Sequence, residues 1–162
     1  MIEIRPIQPN EWMQAKRIVY RVAYVIFAGD GPLEDFISYH ESIHELKDMD
    51  DIQKNYFENG GIFLGMFQDG EMICTGAIRR LDEETSELKR LWLLTEFHGQ
   101  GLGYRMLQEL LSIAKGRGYQ RMRLETDPVE QSRALNFYRQ MGFYEIPGYS
   151  DRNDETAMEL IL

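Results

Sequence analysis

The segment Glu87-Leu-Lys-Arg-Leu-Trp-Leu-Leu94, then Thr95-Glu-Phe-His98, Gly99-Gln-Gly-Leu-Gly103 and Tyr104-Arg-Met-Leu-Gln-Glu-Leu-Leu111, reads as a hydrophobic strand, a glycine-rich turn and a helix. That order makes an anion-binding site from main chain alone. Three glycines without Cβ let a phosphate approach closely, and the first N–H groups of a helix lack intrahelical acceptors and carry the positive end of its dipole. A pyrophosphate fits such a cradle. The spacing is neither the G-x-G-x-x-G of a dinucleotide fold nor followed by the G-K-[ST] of a triphosphate loop, and both of those readings fall.

Working outward, Ile2 to Ile7 alternate and read as a first strand, and Asn10 reads as the cap of a helix carrying Trp12, Ala15, Val19, Val22 and Ile26 at steps of three and four. Gly29-Asp-Gly-Pro32 stops that helix, and the acidic stretch beyond it predicts two shorter ones. Ile62 to Phe67 and Glu71 to Arg79 flank Gln68-Asp-Gly70 and predict a β-hairpin turned at Asp69-Gly70. After the strand from Glu87 to Leu94, the pattern predicts a helix over 101–115, a strand over 120–125, a helix over 132–141 and closing strands over 143–146 and 156–162. Strands interrupted by helices give an α/β (α+β) fold with a mixed sheet.

A chain of 162 residues with 43% hydrophobic residues suits one domain, residues 1–162. No run approaches the ~20 apolar residues that cross a bilayer, and the start Met-Ile-Glu-Ile-Arg-Pro lacks the basic and apolar parts of a signal peptide, so a cytoplasmic address is expected. The net charge of −9 argues against nucleic acid or an anionic membrane as partner. Nine acidic residues against Lys47 and Lys54 between Asp30 and Glu58 carry −7 of it, which leaves the second half nearly neutral toward an anionic cofactor. That acidic segment reads either as a solvated face or as a surface for a cationic partner. The single cysteine, Cys74, reads as a small core residue.

His98-Gly-Gln-Gly101-Leu-Gly103 after Leu91-Trp-Leu93, and Ala134-Leu-Asn-Phe-Tyr138-Arg-Gln-Met-Gly142-Phe143 further on, resemble the two signatures of the GNAT superfamily of N-acetyltransferases, which use acetyl-CoA. The likeness runs from about Ile62 to the C-terminus, and the opening strand and helix suit it too. It implies a mixed, mostly antiparallel sheet of about seven strands flanked by helices. It also implies that the N–H groups of Gly99, Gln100, Gly101, Leu102, Gly103 and Tyr104 hold the CoA pyrophosphate, and that Leu91 and Leu93 offer strand backbone to the pantetheine arm. His98 stands where the family prefers Arg or Gln, and Gln131 where many members place a cofactor-touching Asn.

The chemistry implied is aminolysis of a thioester. A lysine-like amine of pKa ~10.4 is only about one part in a few thousand neutral at pH 7, so a base must take its proton; the departing thiolate, near ~8.5, needs a hydrogen bond or proton. By resemblance Tyr138 supplies that proton and Glu87 is the base, with Glu125 and His98 as substitutes. The implied partners are acetyl-CoA and an amine-bearing acceptor, with a homodimer as the assembly. A small molecule or amino acid comes first as acceptor; a protein N-terminus or lysine, and a non-catalytic acyl-CoA sensor, are the alternatives. A plain interaction module that grips a basic protein through the acidic segment is a third reading. His40-Glu-Ser-Ile-His44 spells a zincin motif, but no third ligand follows and no metal is expected.

Overall fold

The computed structural model describes residues 1–27, 29–129 and 131–162. Strand β1 (Ile2–Pro6) leads through a 3-10 turn at Pro9–Glu11 into helix α1 (Trp12–Ile26), followed by α2 (Leu33–Ser42). Two single turns, a 3-10 turn at Lys47–Met49 and a π turn at Gln53–Phe57, precede β2 (Ile62–Gln68), β3 (Glu71–Arg80) and β4 (Thr85–Leu93). After a 3-10 turn at Thr95–Phe97 come α3 (Leu102–Gly116), β5 (Arg121–Thr126), α4 (Ser132–Gln140), β6 (Tyr144–Ile146) and β7 (Thr156–Ile161).

Among the described residues the seven strands form one sheet in the order β1-β2-β3-β4-β5-β7-β6. Every neighbouring pair is antiparallel except β4 and β5, whose parallel pairing is made possible by the α3 crossover. The expected fold is therefore the observed one. The hairpin turn is where Asp-Gly places it, with Asp69 and Gly70 both at positive φ, 51° and 89°. Helix α3 lies close over β3 at Gly76, where an added Cβ would meet Met106 and Leu110 at 2.9 Å. Cys74 is fully buried in that core, and burial pushes its thiol pKa up.

Three local expectations are corrected. Asn10 is not a helix cap: the chain turns in 3-10 form there, and the Glu11 carboxylate accepts from Gln8 N–H (2.8 Å) while paired with Arg5 (2.8 Å). The second acidic helix is replaced by the two single turns, because the segment is pinned at separate points to the rest of the molecule. Lys16, 5% exposed, bridges Glu41 (2.9 Å) and Asp50, and Arg90 pairs with Asp48 at 2.6 Å. Strand β4 begins at Thr85, two residues before the predicted start, because Thr85 and Ser86 are buried against β5, with the Ser86 hydroxyl donating to Arg121 O at 3.2 Å.

Pinning also changes the reading of the acidic segment. Asp48, Asp50, Glu34 and Glu41 all have cationic partners within the molecule, Glu34 through Arg17. The zincin spelling is broken as well. Helix α2 ends at Ser42 and His44 sits at φ 54°, so the two imidazoles do not share a helical face, while Glu41 accepts from Lys16 and Tyr20. No group of three potential metal ligands occurs among the described residues.

Candidate active site

Strands β4 and β5 pair at Thr85↔Arg121, Ser86↔Met122 and Glu87↔Arg123, and there their ladder stops. Each continues on its outer side, β4 against β3 as far as Leu93 and β5 against β7 as far as Thr126. A bulge contributes to the parting. Between the pairs Thr75↔Trp92 and Ala77↔Lys89, β4 carries one more residue than β3, and Arg90 there takes φ 55°. The Thr75 hydroxyl donates to the bulged Arg90 carbonyl at 2.7 Å. This strained conformation of a non-glycine residue is held by a partner on each side, Thr75 on its carbonyl and Asp48 on its guanidinium.

The mouth of the gap is the glycine turn. Gly99 and Gly101 adopt φ 84° and 75°, the left-handed region that favours glycine, and nothing lies within 4 Å of a Cβ added at Gly99, Gly101 or Gly103. Six successive amides, Gly99 to Tyr104, find no acceptor among the described residues; the next, Arg105 N–H, closes the first helical bond to Gly101 O at 3.0 Å. The predicted cradle is thus open space faced by unspent donors. It continues into a mostly apolar cleft of about 320 Å³ lined by Leu91, Trp92, Leu93, Val22 and Ile26 of α1, and Ala134, Phe137 and Tyr138 of α4. Arg133 also reaches this cleft.

His98, at the motif position before the glycines, lines the same cleft. Its Nε2–H donates to Leu93 O at 3.2 Å, which fastens the turn to the end of β4 and leaves Nδ1 as a buried acceptor without a protein partner among the described residues. Gln131 lies at the start of α4, where its amide oxygen accepts from the Thr126 hydroxyl and Asp127 N–H, both at 3.1 Å. Gln131 borders the cleft.

A second, polar cleft of about 130 Å³ opens in the same gap, lined by Glu87, Lys89, Arg90, Glu125, Thr126, Arg152 and Glu155. Leu91, Trp92, Gln131, Ala134 and Tyr138 border both clefts. Glu87, 4% exposed, receives Arg79 Nε at 2.9 Å and the Tyr149 hydroxyl at 2.7 Å. Tyr149 belongs to the loop between β6 and β7, which thereby closes over the base of the gap. Tyr138 is 8% exposed, and its hydroxyl has no hydrogen-bond partner among the described residues. Burial, with a smaller contribution from Cys74, pushes its pKa up, so the phenol stays protonated at neutral pH.

Sequence reasoning located the cradle, Leu91, Leu93, Gln131, Glu87 and Tyr138, and the structure brings all of them to this one gap. It missed Val22 and Ile26, whose helical spacing signalled core packing only, and Trp92, Arg133 and Phe137. Lys89 and Arg152 were also missed, since nothing in a charged residue's spacing says that it faces a cleft.

Among the described residues a mixed sheet is thus parted along its parallel β4–β5 seam, with bare amides at the mouth of the split. The sequence profile of the acetyltransferase (GNAT) family matches residues 30–143, and the chain belongs to that family. It is 32% identical over 74 residues to N-alpha-acetyltransferase 30 of Schizosaccharomyces pombe (46% of this chain, 49% of that protein). It is 30% identical over 102 residues to human N-acetyltransferase 8B (59% and 44%). The chain therefore spans about half the length of these curated relatives. A PaiA N-acetyltransferase from Thermoplasma acidophilum, solved in complex with coenzyme A, shares the fold with a TM-score of 0.79 at 23% identity, covering 100% of this chain and 99% of that one. Among the described residues, no helix is long and apolar enough to cross a membrane.

Proposed function

We propose that residues 1–162 form one catalytic unit that transfers an acetyl group from acetyl-CoA to a primary amine of a small molecule or amino acid, by direct attack with both substrates bound. The observation that carries this reading is the position of Tyr138, a protonated and unpartnered hydroxyl on the boundary between an apolar cleft that ends in an amide cradle and a polar cleft that holds carboxylates. A cytoplasmic setting belongs to the same proposal.

Acetyl-CoA supplies a thioester carbonyl, and as the amine nitrogen bonds to that carbon the carbon–sulfur bond breaks, giving an acetamide and free CoA thiol. The amides of Gly99 to Tyr104 hold the pyrophosphate, the backbone of Leu91 and Leu93 lies beside the pantetheine arm, and the buried His98 Nδ1 offers an acceptor on the same wall. Glu87 accepts the proton lost by the amine; Arg79 and Tyr149 fix its carboxylate in the polar cleft. Tyr138, kept protonated by burial, donates its hydroxyl hydrogen bond to the leaving sulfur, and the thiolate, near pKa ~8.5, takes from solvent the proton that completes the CoA thiol. Water is kept from the thioester by Trp92, Phe137 and the α1 side chains.

Free-thiol release from acetyl-CoA over a panel of amines tests the proposal. Release that depends on the amine is the expected result, and CoA binding without release for any amine would turn the reading to a non-catalytic acyl-CoA sensor. A second measurement isolates the cradle. Gly101→Asp places a carboxylate in open space over the unpaired amides, at a φ that Asp tolerates better than most residues. CoA should bind about tenfold more weakly or worse by calorimetry, with thermal unfolding reporting whether the fold is intact. Unchanged affinity in a folded variant would mean that the phosphates sit elsewhere.

A further inference from the structure

The polar cleft contains more charge than the transfer reaction uses, and most of it is already paired. Arg90 is engaged by Asp48 (2.6 Å), Arg79 by Glu87 (2.9 Å) and Arg152 by Glu155 (2.9 Å). Two groups are left over. Lys89, half-buried on β4, has no carboxylate within 4.0 Å and no hydrogen bond among the described residues. Glu125, half-buried on β5, receives the Ser150 hydroxyl at 2.8 Å but no cation within that distance. Both border the polar cleft, and each stands two residues beyond the last pair of the seam, Glu87↔Arg123. They therefore occupy equivalent steps on the two separating strands, one positive and one negative.

We propose that the acceptor is a small amine that also carries a carboxylate, with the carboxylate bound by Lys89 and the ammonium by Glu125 before its proton is lost. This rests on the transferase reading and narrows its acceptor to a zwitterion of amino-acid type. A half-buried lysine beside Arg90 with no carboxylate in contact is unfavourable: burial and then the Arg90 charge lower its pKa, and the charges of Glu87 and Asp48 offset this only in part. An incoming carboxylate removes that penalty. A polyamine brings only positive charge to Lys89, and a peptide N-terminus brings no carboxylate near its amine, so neither makes use of the unpaired ammonium.

The test compares amino acids with their own carboxamides as acceptors, with spermidine and a peptide amide as controls, in the parent protein and in Lys89→Met and Lys89→Arg. In the parent, kcat/KM for the acid should exceed that for the carboxamide by about 10- to 30-fold, the range of a hydrogen bond between charged groups. In Lys89→Met that ratio should collapse toward one through KM for the acid, and Lys89→Arg should restore part of it. Calorimetry of the amino acids, read without turnover, should show the same loss of affinity in Lys89→Met. Equal use of acid and carboxamide by the parent, preference for spermidine or the peptide, or equal weakening of acid and carboxamide in Lys89→Met would each overturn the proposal. Should no amine release thiol, the transferase reading falls by itself, while calorimetry still decides this one: amino-acid binding that ignores Lys89 overturns it.

Discussion

Tyr138→Phe should lower kcat by about 10²- to 10³-fold while leaving CoA affinity within about twofold, the range expected when a positioned proton donor is removed without loss of packing. The ring stays: it packs against Phe137 and Phe143 with centroids 5.5 and 5.7 Å apart, contacts a phenylalanine retains. The hydroxyl goes, and with it a buried proton whose loss is resisted at neutral pH. Steady-state kinetics with the best amine from the panel, beside calorimetry of CoA, separates the two quantities. Unchanged kcat with a good acceptor would remove Tyr138 from the chemistry and leave it as a wall of the cleft.

Asp48→Ala should destabilise the fold by about 3 kcal/mol, because it leaves the Arg90 guanidinium, 15% exposed, without its carboxylate. Asp48 accepts from Arg90 Nη2 at 2.6 Å, Arg90 Nε at 3.1 Å and the Tyr56 hydroxyl at 2.5 Å. Burial alone would raise its pKa, but the hydrogen bonds and charge of Arg90, helped by Tyr56, hold it down to about 2 from 3.8. A depressed carboxylate stabilises the fold fully above its unfolded pKa, and the benefit drains as pH falls from near 4 toward 2. Across that window the loss amounts to about 2 kcal/mol, since each tenfold change in proton affinity corresponds to ~1.4 kcal/mol. Urea unfolding at neutral pH and at pH 3 measures both effects, and the variant should show a shallower loss on acidification than the parent. A deficit below about 1 kcal/mol at neutral pH would mean that water reaches Arg90 and solvates it.

Much of this was legible from residue order. The open turn was readable because its shape is carried by backbone, and Gly99, Gly101 and Gly103 declare in sequence the absence of Cβ that it needs. The Asp69-Gly70 turn was equally plain, since few residue pairs tolerate two positive φ angles. Thr85 and Ser86 hid the true start of β4, because hydrophobic patterning does not mark polar residues that become buried by hydrogen bonding across a sheet. Arg90 hid the bulge: a long cationic side chain at φ 55° has no signature in composition, and its support comes from Thr75 and Asp48, 15 and 42 positions away. The hydrogen bond of His98 depended on which neighbour its ring would meet, and Leu93 O, five residues back, accepts it.

Among the described residues, three rungs, Thr85 to Glu87 against Arg121 to Arg123, join the half of the sheet made by β1 to β4 to the half made by β5, β7 and β6. Beyond that step no ladder bond joins the two strands, so main chain does not resist a guest between them. A long guest between the strands would meet the main-chain groups of β4 and β5 that the ladder leaves unused beyond Glu87 and Arg123.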